Sequence, residues 1–98
     1  MLTRQHLFAD VTFDNAIPDY YPHRQAVETV IVEALRGFAG PWRARVVCST
    51  LDAWWVLTIR GPGFDWATML WPNDQTPETI SKRLKEALRL AELERAAS

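Results

Sequence analysis

Histidine and cysteine, the side chains that most often ligate a transition metal or act as a base or nucleophile, are sparse in this chain. The histidines are His6 and His23, and Cys48 is the single cysteine. Transition-metal sites need several His, Cys or carboxylate ligands at matched spacing. These three stand far apart in the sequence, so no metal is expected. His23, close to Asp19, could be oriented as a general base. No nucleophile in a recognisable setting accompanies it, so the favoured reading is a solvated residue in the first turn of a helix. Gly61-Pro62-Gly63 lacks the lysine and the following helix of a phosphate-binding loop. The expectation is a chain that is not an enzyme and carries no cofactor.

The abundant residue types favour contact instead. All five tryptophans lie between Trp42 and Trp71. Residues 42–50 alternate, with Trp42, Ala44, Val46 and Cys48 on one side and Arg43, Arg45, Val47 and Ser49 on the other, which is the period of a strand. From Ala53 onward, Trp55, Leu57 and Ile59 share a face, and Trp54, Val56, Thr58 and Arg60 share the opposite one. A tight turn at Leu51 and Asp52 joins the two runs and keeps Val46 on the face of Leu57.

Gly61-Pro62-Gly63 makes a second turn, because glycine allows positive φ and proline cannot donate to a ladder. Residues 64–71 form the third run. Opposite charges attract across strands, so the favoured register sets Arg60 opposite Asp65. It places Trp66 beside Ile59 and Leu70 beside Trp55 on one face. It places Met69 beside Val56 and Trp71 beside Trp54 on the other. A loop one residue different would exchange the two sets.

A helix precedes these strands and another follows them. Pro22 suits a first helical position, and Val27, Val30, Ile31, Ala34, Leu35 and Phe38 recur at helical spacing. Gly37, Gly40 and Pro41 stop it. The run Val30-Ile31-Val32 is a poor helix former, so this helix leans on packing. Thr76-Pro77-Glu78 is a strong helix start. Ile80, Leu84, Ala87, Leu88 and Ala91 form its apolar stripe, while Leu90 and Leu93 lie off it. Near the start, Leu7, Ala9, Val11 and Phe13 alternate with His6, Phe8, Asp10 and Thr12, which predicts a further strand; Thr3 could instead cap a short helix. The predicted fold is a single α+β domain over residues 1–98. It has a three- to four-stranded antiparallel meander sheet with two helices on one face, in the order (β)-α-β-β-β-α.

A length of 98 residues fits one domain. Hydrophobic content of 48% and charged content of 23% are those of an ordinary globule. A net charge of −1 provides no global field to gather nucleic acid. The sequence shows no secretory signal pattern, and no apolar run approaches a membrane span. With one cysteine an internal disulfide is impossible, and Cys48 reads as a small buried hydrophobe. A reduced, cytoplasmic setting is expected.

Two helices can blanket one side of such a sheet, where Trp42, Trp55, Trp66, Leu57, Ile59 and Leu70 would meet them. The other side carries Trp54, Trp71, Val56, Met69 and Val47, rimmed by Arg43, Arg45, Arg60 and Asp65. Monomers rarely expose such a patch, and aromatics, Met and Arg are enriched at interfaces. The leading expectation is therefore a non-enzymatic protein-interaction domain, a homodimer assembled through this face. Alternatively the N-terminal segment covers it with Leu7, Phe8, Val11 and Phe13. A second reading is a binding site for an aromatic or organic-cation ligand, lined by Trp54, Trp71, Tyr20 and Tyr21 with Asp10, Asp14 or Asp19. Against it, tryptophans serve more often as core or interface filler.

Helix, three strands, helix resembles the element order of the double-stranded-RNA-binding domain, from Pro22 to the end. The resemblance implies phosphate contacts from a lysine-rich start to the last helix. Here that start contains the acid Glu78, and only Lys82, Arg83 and Lys85 would serve. With an acidic overall charge, the expectation is no nucleic-acid binding. Arg43, Arg45 and Arg60 among aromatics leave a single-strand stacking mode conceivable.

Overall fold

A helix lies between the first two strands, and its length sets how they pair. In this computed structural model, which describes residues 9–14, 24–48 and 53–97, β1 is Ala9–Phe13, α1 is Arg24–Leu35 and β2 is Trp42–Cys48. A five-residue strand advances about 17 Å, and a twelve-residue helix runs about 18 Å back. The chain thus returns to the end where it started, and β2 runs parallel to β1, with Ala9 beside Trp42 and Phe13 beside Val46. The wholly antiparallel sheet expected from sequence is corrected here: the sheet is mixed. Parallel neighbours require a crossover connection, usually a helix.

The rest is an antiparallel meander. β3 (Trp55–Gly61) and β4 (Phe64–Leu70) complete a sheet of order β1-β2-β3-β4. Val46 pairs with Leu57. Arg60 faces Asp65, Ile59 faces Trp66 and Trp55 faces Leu70, which is the register that charge complementarity favours. Pro62 and Gly63 form the turn, and the φ of +70° at Gly63 is a value that glycine adopts without a steric penalty. Gly61 is glycine for a different reason. A Cβ there would lie 2.2 Å from Cε3 of the Trp42 ring, which lies against it.

The last helix, α2 (Pro77–Ala97), begins as predicted. The Thr79 backbone N–H donates to Thr76 Oγ1 at 3.2 Å, and the Ile80 N–H to the Thr76 carbonyl at 3.1 Å. Both helices cover the same sheet face. Val27, Ile31 and Leu35 of α1 and Ile80, Leu84 and Leu88 of α2 are buried with Trp42, Ala44, Val46, Trp55, Leu57, Ile59 and Leu70. Trp66, Phe64 and Cys48 lean on this core, half-buried. So do Val11 and Phe13, which therefore do not cover the opposite face. Leu90 and Leu93 stay exposed. Among the described residues, no helix is long and apolar enough to cross a membrane. His6, His23, Leu7, Phe8, Asp19, Tyr20, Tyr21, Pro22 and the turn at Leu51 and Asp52 lie outside the described residues.

Candidate functional site on the exposed sheet face

Strand alternation sends the odd-numbered residues of β2 away from the helices, and pairing extends each into a row across the sheet. At one end Asp10, Arg43, Arg60 and Asp65 stand side by side. Next come Thr12, Arg45, Thr58 and Ala67. Then come Val47, Val56 and Met69, and beyond them Trp54 and Trp71. The face is therefore charged at one end and apolar at the other. No helix or strand among the described residues covers it.

At the apolar end Val47, Val56 and Trp54 are half-buried, while Met69 is 43% and Trp71 52% exposed. The Trp54 and Trp71 rings lie 6.1 Å apart at 56°, within the range of favourable aromatic pairs. Neither residue belongs to a strand, yet both are held. Gln75, buried in the loop before α2, donates its side-chain N–H groups to the Ala53 carbonyl at 2.8 Å and to the Leu70 carbonyl at 3.1 Å. Those carbonyls belong to the residues immediately preceding Trp54 and Trp71. Asp74 adds a second hold: its Oδ2 accepts the Trp71 backbone N–H at 3.3 Å and meets Arg83 Nη2 at 3.1 Å. Arg83 also donates to the Met69 carbonyl at 2.8 Å and to Thr68 Oγ1 at 3.2 Å. It thus occupies part of the open edge of β4, a common way to blunt an edge strand. Ala53 itself adopts φ +57°, a conformation costly for a residue with a Cβ.

Sequence reasoning missed Gln75, Asp74 and Arg83 as positioning residues. A lone Gln between a strand and a helix start carries no periodic signal, and its role depends on two carbonyls that folding brings together.

At the charged end Arg60 Nε lies 3.5 Å from Asp65 Oδ1, both well exposed. Arg43 and Arg45 are exposed and make no ion pair among the described residues. Of the residues expected to line a small-molecule site, Trp54 and Trp71 are brought together, and Asp19, Tyr20 and Tyr21 lie outside the described residues. Asp10 sits beside Arg43 at the far end from Trp54 and Trp71. Asp14 accepts the Cys48 backbone N–H at 3.3 Å. Of the three basic residues near the start of α2, Arg83 is committed to Asp74 and the β4 edge. Among the described residues no group of three or more His, Cys, Asp or Glu is placed to hold a metal. A separate groove of about 550 Å³ runs between β4 and α2, lined by Trp66, Ala87 and Leu90 with Lys82, Arg83 and Glu86.

No family model matches the chain, and no curated protein matches it. Among solved structures, the crystal structure of the Thermus thermophilus protein Y N-terminal domain is similar in fold. It is 21% identical, with a TM-score of 0.52, over 91% of this chain and 94% of that one. At that identity the likeness concerns the α+β fold alone.

Proposed function

We propose that the chain is a non-enzymatic protein-interaction domain of the cytoplasm that pairs with a second copy through the apolar end of its exposed sheet face. The observation that carries this reading is the exposure of Trp71 and Met69 beside Trp54, Val56 and Val47. Contiguous apolar patches of this kind mark interaction sites, and a rigidly held aromatic pair is a common anchor.

Charge selects the arrangement. A two-fold axis parallel to the strands would lay Arg43 of one copy over Arg60 of the other, and Asp10 over Asp65. An axis across the strands, passing between the two apolar rows, lays the tryptophan row of one copy over the Val47, Val56 and Met69 row of the other and leaves both charged ends outside. Isologous contacts of this kind are the commonest in homo-oligomers.

Sedimentation velocity over a concentration series tests the reading. A concentration-dependent dimer that Trp54→Lys or Trp71→Lys converts to a folded monomer supports it. A strict monomer at high concentration overturns it.

A further inference from the structure

The charged end of the same face carries two arginines that pairing between copies leaves outside, next to the valines that such pairing would cover. Arg43 and Arg60 are directly opposite on neighbouring strands, which costs stability unless something neutralises them. Asp65 takes Arg60 at 3.5 Å. Arg43 and Arg45 have no such partner among the described residues, although Asp10 lies beside Arg43 in the register. Both residues stand on one side of one strand, their Cα atoms about 6.6 Å apart, with that of Val47 the same distance further on.

We propose that this end docks an acidic, extended segment of another protein. Its carboxylates fall at alternate positions over Arg43 and Arg45, and an apolar residue two positions later rests on Val47 and Val56. The inference relies on the sheet face being a docking surface, as the preceding reading does, but not on two copies pairing.

Three features favour that occupant. An extended segment repeats its same-side residues at the period of β2, so successive side chains meet Arg43, Arg45 and Val47 in step. Every cation of this face is arginine, whose planar fork binds a carboxylate with two parallel hydrogen bonds. Asp10 and Asp65 bracket the charged row at the outer strands, and the whole chain carries −1. That combination disfavours a continuous phosphate backbone, whose binding grows with the number of phosphates neutralised. It tolerates a ligand with two well-placed carboxylates.

The test is fluorescence anisotropy with three labelled probes: the peptide Glu-Ser-Glu-Ser-Leu, its Gln-Ser-Gln-Ser-Leu counterpart, and an oligouridylate of matched length. The acidic peptide should bind more tightly than the other two and weaken as salt rises. Arg43→Gln and Arg45→Gln should each weaken it about two- to fivefold, as exposed ion pairs do, with thermal melting unchanged. The neutral variant Trp71→Gln should bind it at least as tightly as the parent chain. A wild-type chain that stays monomeric yet binds the acidic peptide would remove the self-pairing reading and leave this one standing. Equal binding of the glutamine peptide, indifference to both arginine variants, or tighter binding of the oligouridylate would overturn it.

Discussion

Gln75 ties Ala53 to Leu70: its side-chain amide donates to both carbonyls, at 2.8 and 3.1 Å. One buried side chain thereby fixes the backbone just before Trp54 and just before Trp71. The two indoles meet at 6.1 Å because their supports are joined behind them. The apolar end of the exposed face therefore depends on a polar residue buried beneath it.

Gln75→Ala should lower stability by about 1–3 kcal/mol, since two carbonyls lose their donor. Urea unfolding would measure it, and tryptophan emission should shift to the red as the pair loosens. A change below about 0.5 kcal/mol would mean that water substitutes for the amide. Ala53→Gly tests the same junction from the other side: relief of the positive φ should stabilise by roughly 0.5–1 kcal/mol.

Trp71→Lys removes a half-exposed ring and sets a charge in the middle of the proposed contact. Its own fold should lose no more than about 1 kcal/mol, in the range of surface changes and a lost aromatic pair. Sedimentation should nevertheless report a monomer at concentrations where the parent chain is dimeric. A variant that unfolds would place Trp71 in the structural core instead.

Gly61→Ala pushes a methyl group into the Trp42 ring, 2.2 Å from Cε3. Overpacking of this kind costs about 1–3 kcal/mol. Gly37→Ala, where a Cβ meets nothing within 4 Å, should stay within about 0.5 kcal/mol. Paired thermal melts would check the contrast, and equal effects would mean that the Trp42 ring can move aside at little cost.

Arg83→Ala deletes the donor to Met69 and Thr68 and the partner of Asp74. The Arg83–Asp74 pair is partly exposed, so the expected loss is about 1 kcal/mol, discounted for solvent screening. The larger effect should be faster amide exchange at Trp71, whose N–H bonds to Asp74, and in the adjoining end of β4. Unchanged exchange there would show that the arginine does not guard this edge.

Sequence alone determined the parts of this protein that neighbouring residues encode. The alternation of 42–50 specified the faces of the first strands, and the attraction of Arg60 for Asp65 favoured the register in which Trp54 and Trp71 meet; the pairing in the folded sheet then fixed that register. Helical spacing specified which side each helix buries, and the Thr76-Pro77 cap specified where the last one starts. Tertiary structure decided the direction of β1, which depends on where a helix delivers the chain rather than on the strand's own residues. It also decided that Gln75 would join two distant carbonyls, that Arg83 would reach the β4 edge, and that Asp10 would stand with the arginines instead of the tryptophans. Periodicity fixes which face a side chain takes; only the long-range pairing of strands fixes which neighbours it finds there.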